Sequence, residues 1–257
     1  MKRIDRLVRV MIVLALMGTG MFTAQVFGAP QPIDTAVTNP ARSDADVALD
    51  ALRRPADVLR FFGIEPGMSV LDVFAGGGYY TEILSYLVGE YGSVTMYNNN
   101  PWDRFVMKSV DKRLEGHRLP NVERLITPPE ELAGFGKQHD AAVFVLGMHD
   151  IYYADVENQW PAIDRAVFLQ GIFNNLKPGG ILGVIDHVAD QGTDPGMVGK
   201  TLHRVDPEVI KSDLERAGFR YQARAYLLAN DKDDHSLSVF APELRWKSDR
   251  AVMLFRR

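Results

Sequence analysis

The densest group of residues suited to binding chemistry is a glycine turn that follows a short apolar run. The run contains Asp72, three glycines stand at Gly76, Gly77 and Gly78, and an amphipathic segment starts at Tyr79. Glycines lack a Cβ and tolerate positive φ, so a ligand can approach the main chain, while the first turn of a helix presents unpaired N–H groups. This order of strand, turn and helix predicts a loop that binds a nucleotide-like ligand.

The glycine spacing discriminates between loops of this kind. A dinucleotide fingerprint of G-x-G-x-x-G starting at Gly76 requires a third glycine where the chain has Thr81, so NAD and FAD are disfavoured. The stretch from Asp72 to Gly78 instead resembles motif I of the class I S-adenosylmethionine-dependent methyltransferases, D-x-G-x-G-x-G, with Phe74 in place of the first glycine. The structural alternative is a turn that only packs a helix against a strand.

A second motif supports the same resemblance. Leu176-Lys177-Pro178-Gly179-Gly180 precedes an apolar strand, as it does in this class of methyltransferases. The resemblance covers residues from about 47 to 257. It implies an α/β fold, a Rossmann-like three-layer sandwich with a mostly parallel seven-stranded sheet whose strand seven is antiparallel. It also implies S-adenosylmethionine as cofactor, with the binding residues Asp72, Ala75, Gly76, Gly77, Gly78 and Asn98. Asn98 stands where the family usually has an acid for the ribose hydroxyls.

Histidines and aspartates concentrate after the strands that share an edge with the glycine turn. Parallel strands present their carboxyl ends at one edge of the sheet, and ligands bind there. Four of the six histidines should lie at that edge, together with four aspartates: His149, His187, His203 and His235, with Asp150, Asp186, Asp190 and Asp233. His117 and His139 are expected elsewhere.

Two chemistries are open for this group. His149 or His187, paired with an aspartate, suits a base that removes a proton from a methyl acceptor. Imidazole and carboxylate together also suit a divalent metal, and solvated loop residues are the structural alternative. We predict His149, Asp150 and His187 as catalytic and assign no metal ligand. Five aromatic residues are candidates either to line the pocket or to pack in the core: Tyr79, Tyr80, Trp102, Tyr152 and Tyr153.

Alternating strands and helices must position these residues. Apolar runs predict seven strands, at 69–74, 93–97, 122–126, 141–146, 181–185, 219–228 and 251–255. Helical periodicity predicts a helix beginning near residue 47, others from 55, 79 and 206, one over 101–116, a short one over 129–135 and one over 161–176. The polar, glycine-containing stretch 186–203 predicts a mobile loop.

The N-terminus has the organisation of an export signal. Basic residues at positions 2, 3, 6 and 9 precede an apolar run over 10–22 and small residues near Gly28. We predict a signal peptide at 1–28, an extended tether at 29–42 and a methyltransferase-like domain at 43–257, in the periplasm or secreted. An uncleaved membrane anchor is the alternative, although the run is shorter than the roughly 20 residues that span a bilayer.

The net charge and the lack of cysteine limit the kinds of binding partner and chemistry that the protein can have. The chain has a formal net charge of −4, and removal of a leader with four basic residues and one acidic residue leaves −7. Such a charge argues against nucleic acid and against anionic membrane surfaces, so we expect no stable membrane insertion after cleavage. The chain has no cysteine, which excludes disulfides and thiolate chemistry.

Two functions follow from these patterns. The first is an S-adenosylmethionine-dependent methyltransferase acting on a small-molecule acceptor. The second is an exported, non-catalytic small-molecule-binding protein with a degenerate methyltransferase fold, since an exported enzyme needs its cofactor supplied across the membrane. The second function would explain why the chain departs from the family motifs at Phe74 and Asn98.

Overall fold

A computed structural model describes residues 31–257 of the chain. The predicted signal peptide lies outside the described residues and stays a prediction. Within the described part, no helix combines the length and the apolar character needed to cross a membrane.

A seven-stranded sheet organises the protein, with strand order β3-β2-β1-β4-β5-β7-β6. Strands β1 to β5 run parallel to one another, and β7 is antiparallel to both β5 and β6. The predicted fold class is therefore confirmed. The strands are β1 Ser69–Val73, β2 Ser93–Asn98, β3 Val122–Ile126, β4 His139–Val145, β5 Leu176–His187, β6 Arg220–Ala225 and β7 Arg250–Arg256.

Nine α-helices surround this sheet in the described residues. They are α1 Pro32–Val37, α2 Asp44–Val47, α3 Asp50–Arg53, α4 Pro55–Phe62, α5 Tyr79–Val88, α6 Asn100–Leu114, α7 Arg165–Asn174, α8 Pro195–Leu202 and α9 Pro207–Arg216. Short 3₁₀ turns follow α6, β3 and β4, at Glu115–His117, Pro129–Phe135 and His149–Ile151.

Both faces of the sheet are buried, which makes the three layers. Successive residues of a strand point to opposite faces. In β1, Leu71 and Val73 join a core cluster with Phe168 of α7, while Val70 joins a second cluster with Leu59 of α4. The continuous apolar strands recognised in the sequence are the pattern that a sheet covered on both sides requires.

The predicted extended tether at 29–42 is wrong over residues 32–37, because these residues form α1. Pro32 stands in the first turn, where its fixed φ favours a helix and its missing N–H is not needed. Ala36 is buried in the same core cluster as Leu59, and Asp34 pairs with Arg60 of α4. These contacts attach the segment to the domain.

Three other boundaries differ from expectation. The predicted mobile loop at 186–203 contains α8, whose N-cap Asp194 accepts a hydrogen bond from Met197 N at 2.7 Å. Helix α7 begins at Arg165 rather than at 161, because Asp164 caps it. Strand β5 is longer than predicted, since residues 177–180 form an irregularity opposite β4 and both sides of it remain paired.

Candidate active site

The glycine turn lies between the carboxyl end of β1 and the start of α5. Gly76 and Gly78 have φ values of 57° and 83°, which are left-handed conformations that glycine adopts without steric penalty. Ala75 N donates to Tyr97 O of β2 at 3.0 Å, and Gly78 N donates to Ala75 O at 3.0 Å. The strand, the turn and the helix are therefore arranged as the motif predicts.

Asn98, at the end of β2, is bonded to this turn. Its Oδ1 accepts from Gly76 N at 2.9 Å, and its Nδ2 donates to Gly76 O at 3.1 Å. A carboxylate could accept the first bond but could not donate the second. The asparagine that departs from the family pattern thus has a structural role in holding the turn.

Phe74 adopts the backbone conformation that a glycine would favour, with φ of 49°. Its ring is buried and stacks on Phe168 at a centroid distance of 5.2 Å, with Phe144 in an edge contact at 5.5 Å. A bulky residue at positive φ is strained, and this aromatic packing offsets the strain. The turn therefore keeps its path although the first glycine of the motif is absent.

Asp72 is buried beneath the turn. Burial raises the pKa of its carboxyl group to about 7, although Thr81 Oγ1 donates a hydrogen bond to its Oδ2 at 2.6 Å and Arg113 lies nearby. Removing the carboxylate from water disfavours the charged form more than these interactions favour it. Asp72 therefore changes its protonation state near neutral pH.

The two sides of the turn differ in their access to ligand. A Cβ built on Gly76 meets no heavy atom within 4 Å, whereas one built on Gly78 lies 2.8 Å from Arg113 Cδ. Arg113 of α6 also donates to Gly77 O at 2.6 Å. The main chain can be approached at Gly76, and Gly78 faces the protein.

These residues fit the cofactor that the resemblance implies. The approach at Gly76 is open, and the Asn98 amide keeps one donor and one acceptor position beyond its bonds to the turn. Asp72, Ala75, Gly76, Gly77, Gly78 and Asn98 all lie at the carboxyl edge of β1 and β2. Their roles as cofactor ligands stay predictions.

His149 lies just after β4 and is held between two carboxylates. Its Nδ1 is 2.7 Å from Asp186 Oδ1, and its Nε2 is 3.3 Å from Asp150 Oδ1. The backbone N–H of His149 also donates to Asp186 Oδ2 at 2.8 Å. Burial alone would lower the pKa of the imidazole, but Asp150 and Asp186 raise it to about 9.

Two further histidines surround His149. The His203 ring centroid lies 5.4 Å from that of His149, and the His187 centroid lies 6.0 Å away. Burial lowers the pKa of His203 to about 4 and that of His187 well below its usual range. His187 Nδ1 is within 2.6 Å of Ser248 Oγ, in the segment before β7.

The fourth histidine, His235, forms a separate group at the same edge. Its Nδ1 is 2.8 Å from Asp190 and its Nε2 is 3.2 Å from Asp249, the residue before β7. His139 lies at the opposite edge, where its Nδ1 contacts Ser69 Oγ at the start of β1. The predicted placement of four histidines at one edge is confirmed, but His235 does not join the other three.

Trp160 connects the glycine turn to the histidines. Its Nε1 donates to Asp150 O at 2.9 Å, and its ring makes edge contacts with Phe74 and Trp102, both at 6.3 Å. In addition, a Cβ built on Gly147 lies 3.3 Å from Phe74 Cβ, so the segment leading to His149 packs against the turn. The predicted cofactor loop and the predicted catalytic residues are therefore neighbours.

Sequence reasoning missed several of these residues. Trp160 lies in an irregular stretch without periodicity, and Arg113 and Ser248 carry no motif. Among the predicted aromatic residues, Tyr153 donates to Asp150 Oδ1 at 2.9 Å, and Tyr79 donates instead to Asp50 of α3.

The sequence matches the family model described as protein-L-isoaspartate(D-aspartate) O-methyltransferase over residues 22–124, which include the glycine turn and Asn98. No curated protein sequence matches the chain significantly.

Solved structures of similar fold cover most of the chain. An S-adenosylmethionine-dependent methyltransferase from Aquifex aeolicus aligns with a TM-score of 0.51 and 21% identity, over 84% of this chain and 99% of its own. One from Mesorhizobium loti aligns with a TM-score of 0.54 and 14% identity, over 81% and 100%. An arsenic(III) S-adenosylmethionine methyltransferase from Chlamydomonas reinhardtii aligns with a TM-score of 0.52 and 18% identity, over 89% and 73%.

At these identities the structural comparison establishes the fold, and it agrees with the sequence match and with the sheet order. The chain therefore has the fold of the class I S-adenosylmethionine-dependent methyltransferases.

Proposed function

We propose that the protein is an S-adenosylmethionine-dependent methyltransferase acting on a small-molecule acceptor. The observation that carries the proposal is the glycine turn after β1, open at Gly76 and joined by Asn98, directly beside the segment that presents His149. Ligands of open α/β sheets bind at this edge. The cofactor and the reaction are proposed because the structurally similar proteins described above are S-adenosylmethionine-dependent methyltransferases.

The residues that would hold the cofactor are Asp72, Ala75, Gly76, Gly77, Gly78 and Asn98. When bound, S-adenosylmethionine supplies an electrophilic methyl group. The chain contributes a main-chain approach at Gly76 and the remaining donor and acceptor of the Asn98 amide, which suit ribose hydroxyls. Phe74 forms an aromatic floor with Phe168 below the turn.

The acceptor would lie toward His149, Asp150 and His187. Methyl transfer is an in-line displacement, so the main task of these residues is to align the acceptor atom. Burial lowers the pKa of His187 well below its usual range, so His187 is the neutral imidazole that would take up the proton, whereas His149, with a pKa of about 9, already holds one near neutral pH. Asp186 fixes the orientation of the His149 ring through two hydrogen bonds. A surface cavity of about 610 Å³ adjoins this edge and includes Ser248, which contacts His187.

Calorimetry of the purified protein with S-adenosylmethionine and S-adenosylhomocysteine tests the proposal. We expect both ligands to bind, and Gly76→Asn to abolish binding because its side chain enters the approach. Asparagine tolerates the left-handed conformation, so the fold should persist. Gly67→Asn is the matched control, since Gly67 also has positive φ and an empty Cβ position but precedes β1 at the opposite edge.

If neither ligand binds the unmodified protein at millimolar concentration, the methyltransferase proposal fails. An exported binding protein with a degenerate fold then becomes the better account. Equal losses in Gly76→Asn and Gly67→Asn would also contradict the location of the site.

We also propose that residues 1–28 direct export to the periplasm or beyond, on the basis of their basic, apolar and small-residue order. Mass spectrometry of the protein from its native host should find a mature N-terminus near residue 29. An intact Met1 would contradict export by cleavage.

A further inference from the structure

We propose that His149, Asp150 and His203 bind a divalent transition-metal ion of the zinc type. One ligand atom from each side chain lies within 4.8 Å of the other two. The His149 Nε2 to Asp150 Oδ1 distance of 3.3 Å is already that between two ligands of one tetrahedral ion with bonds of about 2.0–2.1 Å. His203 completes the set with a shift on the order of 1 Å.

The hydrogen bonds around the three side chains are those that metal ligands need. Imidazole ligands usually give their second ring N–H to a carboxylate, which fixes the ring and the tautomer. Asp186 is the carboxylate that accepts this hydrogen bond from His149, with 2.7 Å between Nδ1 and Oδ1. The backbone N–H of His187 also donates to Asp186 Oδ1 at 2.7 Å and holds the carboxylate in place. Tyr153 orients Asp150 in the same way.

The imidazole ring of His203 is held in place by packing, and among the described residues its nitrogens are free to bind a metal ion. Within residues 31–257, neither of its ring nitrogens has a hydrogen-bond partner, and aromatic neighbours hold it instead, with Phe240 at 4.7 Å and His149 at 5.4 Å. It also ends α8 with φ of 55°, a position that glycine or asparagine usually occupies. A strained residue kept at such a position is a reason to look for function.

A close helix contact brings His203 to the site. A Cβ on Gly199 of α8 would lie 2.9 Å from His149 O and 3.2 Å from Tyr153 Cδ1. Only a glycine allows the helix to pack this tightly on the turn that carries His149. His203 follows one helical turn later, which places its ring beside that of His149.

The charge of the site also favours a cation. Asp150 and Asp186 are both buried, and within the described residues neither forms an ion pair with a lysine or arginine. Nearby Arg204 is committed to Asp233 in a fully buried pair. The two carboxylates of Asp150 and Asp186 carry a charge of −2, which a divalent ion beside a neutral His149 would balance. A protonated His149 without a metal ion would leave a net charge of −1 buried in the protein.

The donor set indicates the class of ion. Two imidazoles and one carboxylate suit zinc and its neighbours among the transition metals, whereas magnesium and calcium prefer oxygen ligands. Three protein ligands leave a position for water or substrate, as in catalytic rather than structural zinc sites. The site is at the acceptor side of the proposed cleft but does not depend on any cofactor.

Metal binding to the full chain tests this directly. After chelator treatment, Zn²⁺ is titrated in competition with a chromophoric chelator, and Co²⁺ is titrated while its absorption spectrum is recorded. We expect one equivalent of Zn²⁺ with micromolar or tighter affinity, and a Co²⁺ spectrum typical of a four-coordinate site. Neither readout requires S-adenosylmethionine or an acceptor, so failure here is distinct from failure of the proposed methyl transfer.

Variants locate the site. His203→Asn should lower Zn²⁺ affinity by on the order of 100-fold or more, and because asparagine suits a left-handed helix end, its unfolding temperature without metal should not fall. Asp186→Asn should lower affinity by about 10–100-fold through the orientation of His149. His235→Gln is the matched control, because His235 also lies between two carboxylates at this edge but outside the cluster.

Absence of Zn²⁺ binding to the unmodified protein at micromolar concentration would overturn the proposal and leave His149 as an internal ion pair. An equal loss of affinity in His235→Gln and His203→Asn would also overturn it.

Discussion

Replacing Asp72 with asparagine should change how the stability of the protein depends on pH. Burial raises the pKa of this carboxyl from 3.8 to about 7, a difference of about 3 units. At 1.36 kcal/mol per unit, ionising Asp72 in the folded protein has a penalty on the order of 4 kcal/mol.

The direction follows from which state holds the proton. Below pH 3.8 both states are protonated and the penalty is absent. Between about 3.8 and 7 only the folded state keeps the proton, so the free energy of unfolding decreases as pH rises; above 7 the full penalty applies. The asparagine side chain of the variant does not titrate, so the stability of the variant relative to the original protein should increase by roughly 4 kcal/mol between pH 4 and 8.5.

Urea unfolding followed by circular dichroism at several pH values measures this difference. The buried amide adds its own pH-independent cost of about 1–2 kcal/mol, so the change with pH is the informative quantity. Asp140→Asn is a control of opposite sign. Lys177 and the Ser69 N–H lower the pKa of Asp140 against the effect of burial, so this variant should lose stability at neutral pH and recover it in acid.

A stability difference between Asp72→Asn and the original protein that stays constant from pH 4 to 8.5 would refute this reasoning. It would mean that Asp72 ionises at an ordinary pKa in the folded state.

Variants at three other positions test the turn and the opposite edge of the sheet. Asn98→Asp should destabilise the protein by about 1–3 kcal/mol at pH 8, because a carboxylate would face Gly76 O. The loss should shrink in acid, where the protonated carboxyl group can donate a hydrogen bond. An equal loss in urea unfolding at pH 8 and in acid would contradict this prediction. Phe74→Ala should lower the free energy of unfolding by about 3–5 kcal/mol, because it removes a buried aromatic ring. Phe74→Gly should lower it by about 1 kcal/mol less, because glycine relieves the strain of the positive φ. If the alanine variant is at least as stable in urea as the glycine variant, the backbone is not strained. His139→Gln should gain about 3 kcal/mol relative to the original protein as pH falls from 6.5 through 4, since burial lowers the pKa of His139 to about 4 and the folded state resists the proton; parallel stability curves over that range would count against it.

The fold and the location of the site were accessible from local patterns. Apolar runs define strands because a sheet covered on both faces needs them, and the spacing of Asp72, Gly76 and Gly78 restricts the turn. The shared edge of His149, His187, His203 and His235 followed from strand direction alone, without knowledge of any contact. Helix α1 was missed because its stability comes from Ala36 and Asp34 contacting distant α-helical residues rather than from its own six-residue pattern.

The partners within the site were decided by the tertiary structure. Asp186 lies 37 residues from His149, and a sequence does not state which carboxylate will orient which ring. His203 reaches His149 only because Gly199 allows α8 to pack on the preceding turn, and Asn98 bonds Gly76 only because β2 ends beside β1. Residue type and spacing determine what chemistry is available and at which edge of the sheet, whereas the packing of distant segments to within a few ångströms determines which groups act on one another.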